Sequence, residues 1–450
     1  MLKKILLSLF VAAIACRVQA QTIIQRDALI EGMVKEVSAD SLNSYITKMV
    51  SFGTRNTLTS TTDKNRGIGA ARNWVLSRFN TMAKQSNGRL SAMVDTTTYK
   101  ADGRRVDRPI NLGNVMATLK GTDPNDNRIF IISGHLDNMR GSPTDSIGDA
   151  PGANDDASGV AAVIECARIM SKNSYPATII FVAVSGEEQG LLGAGYLAKK
   201  ARSNNWNIEA VLNNDIMGSN NSNETNIIDN TKIRVFSEAF AVNDTGRKAL
   251  AIRQLGLEND GKARQLARYV KEIGERYIDN LQVVMIYRND RFLRGGDHTP
   301  FVENNYAAVR FTEMNENYNH QHQNVRTENG IQYGDLIEFM DFEYLRKNAA
   351  MNLANLANLA KSPGMPDSVK IEVRRLSNMS YLTWQAPKAG TVKGYYLLMR
   401  ETTSAIWQKK IFTTKTEMVL PYSKDNYFFA VQSVSADGNE SLPVVPSVGR

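Results

Sequence analysis

Five short apolar runs, separated by helix-patterned stretches, limit what this chain can fold into. Residues 128–132, 178–184, 209–212, 281–287 and 306–311 are each apolar and of strand length. Helical spacing of apolar residues runs through 159–170, 191–201, 262–278 and 333–360. A short, continuously apolar run suits a strand buried on both faces. Alternation of such runs with helices predicts an α/β domain, its mostly parallel or mixed sheet flanked by helices. Upstream, residues 22–110 read as helices and loops, with amphipathic spacing at 28–37, 42–52 and 68–82.

A boundary falls at Ser362-Pro363-Gly364-Met365-Pro366, beyond which the helix pattern stops. Residues 369–374, 379–384, 394–400, 406–413, 417–420 and 427–433 read as short strands between turn residues. They predict a C-terminal all-β sandwich over 366–450. Its frequent aromatics exclude a disordered tail.

The N-terminus reads as a targeting segment. Lys3 and Lys4 precede an apolar run over 5–15, and Val18-Gln19-Ala20 supplies a small-residue cleavage signal. Residues 1–20 are therefore expected to be a signal peptide, and the mature chain to start near Gln21. Lipid attachment at Cys16 ranks second, because Ala13, Ile14 and Ala15 fit a lipoprotein signal poorly. Export to the periplasm, the cell surface or the medium follows. Removing residues 1–20 takes away Lys3, Lys4 and Arg17 and no acid, so the formal charge of +8 drops by three. That mild excess is spread along the chain and gives no stripe for nucleic acid. No later segment is apolar for long enough to span a membrane. Only Cys166 remains in the mature chain, so no intramolecular disulfide forms there. It sits in an apolar helical pattern and reads as a small core residue.

The chain has four histidines, and none is scattered. His135 lies in Gly134-His135-Leu136-Asp137, just past the first buried run, and His298, His320 and His322 share one stretch near residue 300. Asp155 lies in Asn154-Asp155-Asp156-Ala157-Ser158-Gly159, Glu187 and Glu188 follow the second run, and Asp215 follows the third. Sites in open α/β sheets form at the carboxyl ends of strands. Histidine with separated carboxylates is a set that zinc accepts.

The chemistry suggests roles. His135 offers a neutral imidazole nitrogen, and Asp137 could hold its other ring nitrogen. The Asp155 carboxylate could bridge two ions. Glu187 and Glu188 are neighbours whose side chains diverge, so one can bind metal while the other faces the attacking water. Each residue also has a plainer use: Asp155 or Asp156 as a helix cap, Asp215 as a turn residue, Glu-Glu as solvated surface. His298 reads as a pocket or packing histidine. His322 reads as a neighbour of the ligand, although the sequence alone permits an exchange with His320.

Gly134-His135-Leu136-Asp137, Gly152 through Gly159, Ser185-Gly186-Glu187-Glu188-Gln189-Gly190 and Asn214-Asp215-Ile216 together resemble the secreted dizinc aminopeptidase family. That family also includes glutamate carboxypeptidase-like enzymes and glutaminyl cyclases. The likeness covers residues 25–362, so 21–362 is expected to be a zinc exopeptidase-like domain. The resemblance implies two Zn²⁺ ions, with Asp155 bridging them, His135 and Asp215 on one, and Glu188 and His320 on the other. It implies Glu187 as general base and Tyr318 as a donor to the oxyanion. The family has an acid four residues after its last histidine, where this chain has Asn324. Residues 366–450 resemble a fibronectin type III module, on Leu382-Thr383-Trp384, Gly394-Tyr395-Tyr396 and Asn426 through Val431. Such a module spaces or docks a catalytic domain, and docking at a surface is the use expected here.

The expected function is an exported aminopeptidase acting on peptide substrates. A carboxypeptidase of the same family would need a basic clamp, for which Arg288, Arg291, Arg294 and Arg310 are candidates. A glutaminyl cyclase would use a single zinc. A non-catalytic binding protein on this fold would have no need of Glu187.

Overall fold

The computed structural model describes residues 24–240 and 244–449, so the expected signal peptide and Cys16 lie outside the described residues. Three helices open the fold: α1 (Ala28–Lys35), α2 (Ala39–Val50) and α3 (Gly67–Gln85). Asp27 caps α1 and Ser38 caps α2, each accepting from a backbone N–H of the first turn. Strands β1 (Leu90–Tyr99), β2 (Ile110–Leu119) and β3 (Arg128–His135) follow, then α4 (Ala157–Met170), β4 (Thr178–Val184), α5 (Leu192–Ser203) and β5 (Asn207–Asn214). The second half adds β6 (Lys232–Phe236), α6 (Gly246–Leu255), α7 (Lys262–Tyr277), β7 (Gln282–Ile286), α8 (Thr299–Glu303), β8 (Ala308–Glu313) and α9 (Phe342–Lys361). No helix among the described residues is long and apolar enough to cross a membrane.

The eight strands form one mixed sheet in the order β1-β2-β4-β3-β5-β8-β6-β7. The centre, β4-β3-β5-β8, is parallel. Its strands alternate between two cores, as period-two geometry demands. Phe130, Ile132, Ile179 and Phe181 face α4, α9 and the N-terminal helices. Ile131, Ile180, Val182 and Val211 face α5 and α8. Both faces are covered, which is why the sequence of these strands is apolar throughout.

Three details correct the sequence reading. From residue 90 the stretch read as helices and loops is strand: β1 and β2 pair antiparallel over ten residues, from Leu90↔Leu119 to Tyr99↔Ile110. β1 is an edge strand, so its half-exposed alternation with Thr96, Thr97 and Thr98 lacks an apolar run. β6, Lys-Ile-Arg-Val-Phe, hides the same way. The helix expected over 333–360 starts at Phe342, where the Asp341 side chain accepts from Tyr344 N.

The C-terminal residues form two facing sheets. One has four strands, β13 (Glu417–Leu420), β10 (Ser380–Gln385), β9 (Asp367–Glu372) and β15 (Ser447–Gly449). The other has three, β12 (Lys409–Thr413), β11 (Gly394–Glu401) and β14 (Tyr427–Val434). Trp384 packs edge-on to Tyr395 at 5.5 Å between the sheets, among Val369, Leu397 and Phe429.

This sandwich is fused to the α/β domain through buried groups. Leu442 belongs to the main core. Tyr269 Oη donates to Glu440 O at 2.9 Å, and Arg276 meets the Glu440 carboxylate at 3.0 Å. Asp260 accepts from Arg268 Nη1 at 3.1 Å and, across the boundary, from Arg400 Nη2 at 2.6 Å. All three side chains are at most 3% exposed. Breaking a buried ion pair costs about 3–5 kcal/mol, because the partner charge is stranded. Asp260→Ala is therefore expected to lower the thermal unfolding midpoint of the whole chain in one transition. A separate early transition of the sandwich alone would contradict the fused interface.

Candidate metal centre

The carboxyl ends of β3, β4, β5 and β8 lie along one edge of the sheet, and the loops leaving them converge there. His135 ends β3, Glu187 and Glu188 follow β4, and Asp215 follows β5. Asp155 lies in the loop entering α4, and His322 in the long loop after β8. One buried carboxylate sets three of these segments. Asp156 Oδ1 caps α4 by accepting from Gly159 N at 2.9 Å and faces Ile216 N at 3.3 Å. Its Oδ2 accepts from His135 N at 2.8 Å.

The side chains gather into two groups that share Asp155. His135 Nε2 is 3.1 Å from Asp155 Oδ1 and 3.8 Å from Asp215 Oδ1. His322 Nε2 is 2.9 Å from Asp155 Oδ2 and 3.2 Å from Glu188 Oε1. Within each group the potential ligand atoms lie within 4.8 Å of one another. Asp155 thus turns one oxygen to each side.

The electrostatics call for positive charge. Burial favours neutral imidazoles, yet Asp156, Asp155 and Asp215 hold the His135 pKa well above its usual value. Burial lowers His322 too, but Glu188 and Asp155 push it up to about 11. Burial raises the Asp155 carboxyl, and the two imidazoles more than reverse that shift. Burial drives Glu187 well above the carboxylate range, with Glu188, Asp215 and Asp297 adding to it against His135. Glu188 Oε1 is buried and accepts no hydrogen bond, although His322 Nε2 lies 3.2 Å away. Imidazole and carboxylate donors of this kind fit zinc, whose binding uses neutral imidazoles and ionised carboxylates.

The expected site residues do not all assemble. His320 belongs to neither group: its ring stacks on Phe339 at 3.8 Å and 6°, and burial pushes its pKa down to about 4. His322 occupies the place expected for His320, so the Asn324 position no longer bears on the ligand. Tyr318 does not line the cleft and is 52% exposed. Asp137 is beside the site but not as expected. Its backbone oxygen meets His135 Nδ1 at 3.0 Å. Its carboxylate instead accepts from Gly186, Glu187 and Glu188 N at 2.8–3.2 Å, pinning the loop that carries both glutamates. His298 is a packing residue: it is buried with Nε2 2.6 Å from Asn289 O.

Several supporting residues carried no sequence signal for the roles they take, and Arg310, a candidate for a substrate clamp, is instead paired inside the protein. Asp335 accepts from Asn154 N and from Asp155 N, the latter at 2.7 Å. Burial raises its pKa to about 7. Arg310 is fully buried, with Nη2 3.0 Å from Asp215 Oδ2 and Nη1 2.7 Å from Asp290. Arg55, equally buried, donates to the backbone oxygens of Leu136, Pro151 and Gly152 at 2.7–2.8 Å, clamping the His135 and Asp155 loops. Asp297 is buried with both carboxylate oxygens unpartnered, and burial raises it to about 7. The centre opens into a cleft of about 370 Å³.

Comparison with known proteins identifies the family. Residues 114–342 match Peptidase family M28. A probable zinc metalloprotease of Leptosphaeria maculans is 43% identical over 421 residues, covering 93% of this chain and 97% of that one. A probable zinc metalloprotease of Pyrenophora teres f. teres is 41% identical, over 93% and 87% of the two chains. Among solved structures, the LapA aminopeptidase of Legionella pneumophila superposes with a TM-score of 0.53 at 20% identity, over 76% of this chain and 78% of that one. The aminopeptidase of Aneurinibacillus sp. strain AM-1 gives 0.50 at 14% identity, over 74% and 96%. These two likenesses are of fold.

Proposed function

The chain belongs to peptidase family M28 and is a zinc metallopeptidase, and from that premise we propose that it is an exported aminopeptidase working with two zinc ions. The observation that carries the reading is Asp155, whose two oxygens serve two separate His/carboxylate groups. His135, Asp155 and Asp215 would hold one ion, and Asp155, Glu188 and His322 the other. When bound, such ions polarise a scissile carbonyl and acidify water.

The rest is done by the chain. Glu187 lines the cleft beside Glu188, on the loop that Asp137 pins. It takes the proton of the attacking water and returns it to the leaving amine. Arg310 holds Asp215, and Asp335 holds the Asp155 backbone, so ligand geometry is set before substrate arrives. The intact base weighs against a non-catalytic binding protein. The second ligand group weighs against a single-zinc cyclase.

Export rests on Lys3, Lys4, the apolar run and Val18-Gln19-Ala20. The sandwich, read as a fibronectin type III-like module, braces the catalytic domain; docking to a surface is a further use of its outer face. The test is a panel of amino-acid anilides set against N-acetylated peptides and peptides with a blocked C-terminus. Cleavage of free-amine substrates is expected, with N-acetylation abolishing it. Cleavage that requires a free C-terminus and tolerates N-acetylation would replace this reading with a carboxypeptidase.

A further inference from the structure

We propose that the cleft selects peptides presenting a carboxylate beside the scissile bond, and that Arg105 and Arg294 make the selection. The proposal rests on the peptidase reading above and adds its substrate class.

Three arginines line the cleft: Arg105, Arg291 and Arg294. Arg291 has spent its charge on Glu316 at 3.1 Å and Asp290 at 3.3 Å. Arg310 is likewise consumed by Asp215 and Asp290, and Arg288 lies over Phe292, outside the cleft lining. Arg105 and Arg294 differ from these. Neither pairs with a carboxylate among the described residues, and each meets a neutral acceptor on a ligand-bearing segment, Arg105 closely and Arg294 at longer range. Arg105 Nη1 donates to Glu188 O at 2.5 Å. Arg294 Nη1 donates to Gln321 Oε1 at 3.4 Å, and Gln321 Nε2 in turn faces Asp155 Oδ2 at 3.5 Å. A guanidinium held by a neutral oxygen is positioned yet keeps its whole charge and its remaining donors.

The floor does not cancel that charge. Its lining carboxylates, Asp155, Glu187, Glu188 and Asp215, would be matched in number by the charges of the two divalent ions that the proposed function places there. The rim therefore sets the sign that a substrate meets. Met139, Leu191 and Leu293 complete the lining with apolar surface, and Leu293 is 91% exposed. An aliphatic stem ending in a carboxylate matches both kinds of surface. Such a group is either an acidic side chain or the free C-terminus of a very short peptide.

The experiment compares kcat/KM for size-matched pairs. Glutamyl against glutaminyl anilide reads the side-chain source, and a dipeptide against its C-terminal amide reads the terminal source. In the zinc-loaded full chain, the charged member of one pair is expected to be favoured about tenfold or more. The preference should shrink as NaCl rises from about 0.05 to about 0.5 M. Arg105→Gln and Arg294→Gln should each cut the ratio, their combination should bring it near one, and Arg105→Lys should restore part of it. Zinc content and unfolding midpoint serve as folding controls. Equal turnover within both pairs, or a preference that survives the double variant, would overturn the proposal. If only N-acetylated peptides are cleaved, the aminopeptidase reading fails on its own, and a blocked glutamyl/glutaminyl pair then decides the arginine proposal separately.

Discussion

Glu187→Gln is expected to fold, to keep its zinc and to lose about 10²–10⁴-fold in kcat/KM, the usual contribution of a general base. The substitution keeps the shape of the side chain and removes only its capacity to accept a proton. The loop around it should not move, because Asp137 holds residues 186–188 through their backbone N–H groups, which the substitution leaves in place. Glu188 is therefore expected to stay where it is. The loss should fall on kcat with KM little changed, since the proton moves only in the reacting complex. Turnover near the wild-type rate, with zinc retained, would remove Glu187 from the reaction.

Asp155→Ala should be more severe in a different way, removing metal as well as activity. Both groups of ligands use this one carboxylate, Oδ1 toward His135 and Oδ2 toward His322. Without it each group keeps one imidazole and one carboxylate, fewer than the three or four protein ligands of ordinary zinc sites. The Asp155 backbone remains tied to Asp335, so the loop should persist around the missing side chain. Zinc per chain is expected to fall well below one after gel filtration. The unfolding midpoint should drop toward that of wild-type protein treated with a chelator, because bound ions stabilise only the folded state. Two retained ions would show that the groups do not depend on a bridge.

The centre of this fold is legible because physics writes it into short spans. Strands buried on both faces must be apolar throughout, so β3, β4, β5 and β8 stand out, and the residues just past them are where ligands gather. β1 and β6 escape because an edge or outer strand alternates, and alternation over five to ten residues is easily read as loop or helix. The choice between His320 and His322 is not local. It is decided by Phe339, which stacks on His320, and by the turn that ties His322 O to Gly141 N at 2.7 Å. Arg55 and Asp335 are also invisible along the sequence. Arg55 acts on oxygens 81–97 residues away, and Asp335 on amides 180–181 residues away. The role of Asp137 is hidden along the sequence for a related reason. Its backbone oxygen makes the hydrogen-bond contact with His135 Nδ1, at 3.0 Å, while its carboxylate stays 3.9 Å from that nitrogen and accepts from the neighbouring loop.

The most direct test is anomalous diffraction at the zinc edge, on crystals of the wild-type chain and of His320→Ala and His322→Ala. Wild type and His320→Ala should each show two peaks flanking Asp155, and His322→Ala should lose the peak beside Glu188. A single peak in the wild type, or a second peak lost with His320 and kept without His322, would contradict a pair of ions shared through Asp155.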